Sequence, residues 1–150
     1  MASKLKPRSQ ANKITGKPNE SQGCSSDQHP WFSFRYMTRN KHFSLEFFTD
    51  SHAKEITLSC LLARLEELSK QPWVYWMQQP KNTGLETMKY EELNFVASED
   101  SNLSKDTTIY IFRFDTYQGA RKGRIIGFKS TPCSVFHIIG YDFDFSAYSH

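Results

Sequence analysis

Three segments in the last third of the chain constrain the fold more than anything else: TIYIFRF (108–114), GRIIGF (123–128) and SVFHIIGYDFDF (134–145). Ile, Val, Phe and Tyr at this density suit a pleated, half-buried surface. The linkers DTYQGARKG and KSTPC are hairpin-sized, so consecutive strands must pair antiparallel as a meander. In the first strand Tyr110, Phe112 and Phe114 alternate with Ile109, Ile111 and Arg113. In the last, Phe136, Ile138, Gly140, Asp142 and Asp144 share one side. Val135, His137, Ile139, Tyr141, Phe143 and Phe145 share the other. Without a bulge, continued extension would bring Tyr148 and His150 to the side of the two aspartates.

Upstream, the pattern changes twice. Phe32, Phe34 and Tyr36, then Phe43, Leu45 and Phe47, alternate with polar residues across the turn Thr38–Lys41, which predicts a β-hairpin. From Ser51, expected as the N-cap, Leu58, Leu61, Leu62, Leu65 and Leu68 form a helical stripe, with Arg64, Glu66, Glu67 and Lys70 pointing elsewhere. Pro72 ends this helix and starts a short second one, PWVYWMQQ, whose tryptophans are expected in the core. GLETMKYEEL predicts a short extended segment and a helical turn. The expected architecture is therefore α+β over residues 30–150: an N-terminal β-hairpin, two helices, and a C-terminal antiparallel three-stranded meander, forming one sheet with the helices on one face. A chain of 150 residues with 38% hydrophobic and 15% aromatic content supplies one such core.

Residues 1–29 form a basic arm, expected to be flexible, with no apolar periodicity and no apolar leader. Lys4, Lys6, Arg8, Lys13 and Lys17 precede the first acidic residue, Glu20. The formal net charge of +3 is concentrated there, a distribution that suits nucleic acid and equally a solubilising tail. Cys24, Cys60 and Cys133 are widely spaced and form no CxxC, so free thiols in a reducing cytoplasm are expected. No segment is apolar for long enough to span a bilayer, so no membrane partner is expected.

Phosphate-binding glycine loops, nucleophile elbows and HExxH zinc motifs are absent from the sequence. What remains is the C-terminal strand with the arginines beside it. Asp142, Asp144, Tyr148 and His150 could perform acid–base chemistry near neutrality, or the two aspartates could hold a divalent cation. Arg113, Arg121, Lys122, Arg124 and Lys129 lie within one hairpin and could grip phosphates. Each has a competing structural reading: a snorkelling Arg113, hairpin solvation for Arg121 and Lys122, a core His137, and a strand simply leaving the core for the tail.

Two resemblances accompany these patterns. ANKITGKPNESQG, LEELSKQPW, GLETMKY, IYIFRFD and FHIIGYDFDFSAYSH resemble a family of uncharacterised small bacterial and mobile-element proteins, which brings no function. The element order, and LARLEELSKQPWVYWMQQPKNTGLETM in particular, is similar to the RelE/YoeB-like toxins. That resemblance implies ribosome-dependent mRNA cleavage without a metal or other cofactor, and a cognate antitoxin as partner. It places the strand arginine at Arg113 or Arg124, and the C-terminal His/Tyr pair at His150 and Tyr148. The chain departs from these toxins in length, in its lower basicity and in its Tyr-x-His order. Three readings are therefore open: an RNA-cleaving toxin, a non-catalytic phage or mobile-element factor binding a host protein or nucleic acid, and a metal-dependent nuclease using Asp142 and Asp144.

Overall fold

The computed structural model describes residues 28–130 and 135–149. The elements run β1 (Trp31–Ser33), α1 (Ser51–Ser69), α2 (Trp73–Gln78), β2 (Leu85–Lys89), β3 (Thr108–Thr116), β4 (Gly119–Lys129) and β5 (Val135–Asp142). They build one mixed sheet in the order β1-β5-β4-β3-β2. From β2 to β5 every neighbouring pair is antiparallel, so the expected meander is present and β2 extends it by one strand.

The expected N-terminal hairpin does not form. Only Trp31–Ser33 is strand, and it pairs parallel with β5. Residues 41–43 and 45–47 are single 3-10 turns instead. The cause is side-chain capping: the Asn40 carboxamide oxygen accepts from the His42 N–H, and the Ser44 hydroxyl from the Glu46 N–H. These local bonds compete with a ladder. The apolar alternation serves both sides of the sheet, with Phe43 in one core and Leu45, Phe47 and Phe48 against the other.

Both helices lie on one face. Leu61, Leu65 and Leu68 of α1 and Trp73 and Trp76 of α2 pack on Phe112, Phe114, Ile125, Phe136, Ile138 and Tyr141. Asp50, not Ser51, is the N-cap of α1, its carboxylate accepting from the His52 and Ala53 N–H groups. Leu62 stands outside the buried stripe and is exposed, whereas Arg64 is buried. Arg64 donates to the carbonyls of Arg113 (2.9 Å) and Thr83 (2.8 Å) and to Glu67 (2.7 Å), so its charge is satisfied at the helix–sheet junction. Loops cover the opposite face with a second core of Phe43, Phe95, Ile109, Ile111, Ile126 and Ile139.

One irregularity decides where the C-terminal residues point. Ile126 pairs with Gly140 but Gly127 pairs with Ile138, which leaves Ile139 as an extra residue. The bulge reverses the parity of β5. Phe136 and Ile138 face the helices, and so do Tyr141 and Phe143, while Asp142 turns to the loop-covered face. Gly127 makes room for it, because a Cβ there would run into the His137 carbonyl and the Phe136 ring. Gly127→Ala is therefore expected to destabilise the domain by about 1–3 kcal/mol, measured as a lower denaturant midpoint at unchanged slope.

Candidate functional site

The loop-covered face carries a row of charges across four strands. Glu86 on β2 is in register with Ile111, so it shares a face with Arg113 two residues further along β3. Arg113 pairs directly with Arg124 on β4, and Arg124 with Asp142 on β5. The row thus reads Glu86, Arg113, Arg124, Asp142, and its two ends behave differently.

At the Asp142 end the carboxylate is buried and fully bonded. Arg124 donates to Asp142 at 2.9 Å, with the two side chains 2% and 0% exposed. The other lone pairs of Asp142 accept from the N–H groups of Asp144 (3.3 Å), Ser146 (3.1 Å) and Ala147 (3.3 Å). Asp142 is accordingly the anchor of a hook formed by residues 143–149, and its oxygens are committed to N–H donors and a guanidinium rather than open to a cation. The hook has two more fastenings. Asn94 donates from its side chain to the Ser146 carbonyl and from its backbone to the Ala147 carbonyl. His42 Nε2 meets both Asp144 (2.9 Å) and Ser146 Oγ (3.0 Å). A catalytic relay would need the acid and the hydroxyl on different ring nitrogens, so this Ser/His/Asp cluster is a clamp. Burial raises the Asp144 pKa, but the Ser146 hydroxyl and then His42 outweigh it and hold the carboxyl below its usual range.

The hook presents two rings to the arginine row. The Arg124 guanidinium lies 4.3 Å from the Phe145 ring centre and 4.8 Å from that of Tyr148. Tyr148 is buried, and burial pushes its phenol up to about 12; Arg124 and Arg113 act to lower it, while Glu86 and Asp142 raise it further. Tyr148 therefore sits within the field of the whole row and is protonated at neutral pH.

At the Glu86 end the bonding is incomplete. Glu86 and Arg113 approach only to 3.6 Å, and Lys81 reaches Glu86 at 3.7 Å, both too long for hydrogen bonds. Glu86 Oε2 and Arg113 Nε are buried and have no hydrogen-bond partner among the described residues. The side chains remain 14% and 23% exposed, so the site borders solvent. Lys122, exposed on the same face, lies 5.8 Å from the Phe145 ring.

Several sequence-predicted residues are elsewhere. Lys129 lies over Trp73 at 4.8 Å on the helix-covered face. Arg121, at the β3–β4 turn with a φ of 58°, reaches the Arg113 carbonyl and lines a small cleft with Cys60, Arg64 and Asp115. Burial depresses the His137 pKa, and its ring stacks on Phe128, as a core histidine's would. Lys4, Lys6, Arg8, Lys13, Lys17 and His150 lie outside the described residues. Glu86 and Lys81 were not singled out from sequence; the one available signal was a lone acid in the strand LETMK.

The two buried tyrosines make a pH test of this packing. Burial pushes Tyr141 up to about 12, as it does Tyr148. A group whose folded pKa is raised stabilises fully below its unfolded value and loses that contribution as pH climbs through the folded one. Each tyrosine is expected to contribute about 2–3 kcal/mol, lost between pH 10 and 12. Phenolate absorbance and circular dichroism should therefore change together in that window. Among the described residues no helix is long and apolar enough to cross a membrane. No family model, curated protein or solved structure matches the chain.

Proposed function

We propose that the protein is an endoribonuclease of RelE-like character that cleaves RNA by acid–base chemistry of its own side chains. The observation that carries this reading is the Glu86–Arg113 pair at the border with solvent. Glu86 Oε2 and Arg113 Nε are buried without hydrogen-bond partners among the described residues, Lys81 lies 3.7 Å from Glu86, and the protonated Tyr148 sits in the field of both. A buried carboxylate oxygen and guanidinium N–H without hydrogen-bond partners among the described residues suit a ligand offering both a donor and an anionic acceptor. A ribose 2′-hydroxyl next to its 3′-phosphate offers both.

Glu86 takes the 2′-hydroxyl proton as the 2′-oxygen attacks phosphorus. Arg113 and Lys122 stabilise the charge on the phosphoryl oxygens. The 5′-oxygen leaves with a proton from the C-terminal Tyr148/His150 pair, giving a 2′,3′-cyclic phosphate and a 5′-hydroxyl. Arg124, committed to Asp142, positions Tyr148 rather than gripping phosphate. The basic arm through Lys4, Lys6, Arg8, Lys13 and Lys17 adds affinity for RNA or the ribosome that falls with salt. Glu86→Gln tests the assignment: the variant should fold and bind RNA but fail to cleave it.

A second reading rests on a separate observation. An apolar groove of about 390 Å³ between α1 and the 34–46 segment is lined by Phe34, Met37, Leu58, Leu62 and Tyr141. Phe34 and Leu62 are 53% and 58% exposed. This surface favours a protein partner, a cognate antitoxin or a host protein, and is compatible with either a toxin or a non-catalytic factor.

A further inference from the structure

Resting on the ribonuclease reading above, we infer that Arg64, on the opposite face of the sheet, is a positioning residue that sets Arg113 against Glu86 and Lys81. Arg64 lies on α1 and is 3% exposed, so a full charge is carried into the helix–sheet junction. Burying a guanidinium is costly unless its N–H groups find acceptors. Its bonds satisfy the charge, and two of the three reach the candidate site. The bond to Glu67, at 2.7 Å, stays within α1. Nε donates to the Arg113 carbonyl at 2.9 Å, and a terminal N–H donates to the Thr83 carbonyl at 2.8 Å.

Those two carbonyls flank the site. The β2–β3 register starts with Leu85 opposite Phe112, so Arg113 lies one residue past the end of β2. At that point its carbonyl is met by Arg64 Nε, with Arg121 further off at 3.4 Å. Thr83 belongs to the turn that carries Lys81, whose Thr83 and Gly84 N–H groups both donate to the Pro80 carbonyl, at 3.0 and 2.7 Å. The Arg64 fork therefore ties the backbone of Arg113 to the turn leading into Glu86. It spans the gap where Arg113 and Lys81 approach Glu86 to 3.6 and 3.7 Å. The buried Trp76 ring, 5.2 Å from the guanidinium carbon, packs against the fork. Lysine, a point charge without a planar fork, does not reproduce this geometry. A base and a phosphate ligand displaced by about 1 Å can lose about 10²-fold in rate. Arg64 thus governs the chemistry through the backbone while touching no substrate.

The test uses the full chain and reads Arg113 directly. Hydrogen exchange of the arginine Nε–H groups, resolved by NMR, is followed at Arg113 and, as an internal control, at Arg124, which donates to Asp142. Arg64→Lys should speed exchange at Arg113 at least about tenfold and leave Arg124 within about twofold, because the loosening is local. Its single-turnover cleavage should fall about 10- to 100-fold, while its affinity for an uncleavable 2′-O-methyl RNA strand stays within about threefold. If Arg64→Lys does not fold, Arg64→Met combined with Glu67→Leu removes the buried charge together with its partner and should give the same result in a stable domain. A folded variant whose Arg113 exchanges within about twofold of the unaltered protein would overturn the inference. So would equal acceleration at Arg124, the mark of a purely global loss of stability, or an unchanged cleavage rate. If Arg113 alone loosens while the unaltered protein cleaves no RNA, the positioning stands and the ribonuclease reading fails. If the unaltered protein cleaves but Arg113 does not loosen, the positioning fails and the ribonuclease reading stands.

Discussion

Replacing Asp142 with alanine is expected to lower the unfolding free energy by about 3–5 kcal/mol, the largest stability effect of any single side chain on the loop-covered face. The change removes the carboxylate to which the Arg124 guanidinium, 2% exposed, donates at 2.9 Å. It also deprives three backbone N–H groups, of Asp144, Ser146 and Ala147, of their acceptor. The two losses can be separated. Asp142→Asn keeps one carbonyl oxygen for the turn but removes the charge, so it should fall between alanine and the unaltered chain. Combining it with Arg124→Met removes the buried cation and should recover part of the loss, because a buried pair costs more when broken than when both partners are neutralised. Denaturant midpoints of the unaltered chain, Asp142→Asn, Arg124→Met and the double variant close the cycle, with Asp142→Ala measured beside them. If Asp142 instead acted as a metal ligand or a catalytic carboxylate, Asp142→Asn would remove activity with little change in the midpoint.

Glu86→Gln carries the largest expected effect on activity. Glutamine matches the shape of glutamate, and Glu86 is held only by long ion pairs to Arg113 (3.6 Å) and Lys81 (3.7 Å), so the unfolding free energy should fall by no more than about 1 kcal/mol. It cannot accept a proton. Loss of a positioned general base is worth about 10²–10⁴-fold in rate, which should appear as a fall in single-turnover cleavage at nearly unchanged RNA affinity. Arg113→Lys complements it by keeping the charge but losing the planar fork that meets a phosphate through two N–H groups.

The meander, the two helices and the tryptophan core were legible in the sequence because each follows from period and local chemistry. Tyr110, Phe112 and Phe114 do line one face, and Pro72 does open α2. The 41–47 segment was misread because its alternation of apolar residues mimics a strand, while capping by Asn40 and Ser44 settles the backbone as 3-10 turns. The position of Asp142 was out of reach for a different reason. One extra residue at Ile139 reverses every side chain after it, and nothing in FHIIGYD marks the bulge except a glycine on each strand, Gly127 and Gly140. Glu86 joins the site through a register between β2 and β3, a pairing across more than twenty residues that composition does not encode.

The ends of a cleaved RNA report on the chemistry proposed for Glu86 and Arg113. A defined mRNA should be incubated with the protein and, separately, with Glu86→Gln, each in the presence and absence of ribosomes, and the fragment termini mapped. The unaltered protein should leave 2′,3′-cyclic phosphate and 5′-hydroxyl ends in at least the ribosome-containing reaction, and Glu86→Gln should leave the RNA intact. Intact RNA in every reaction, or equal cleavage by a folded Glu86→Gln, would contradict that chemistry.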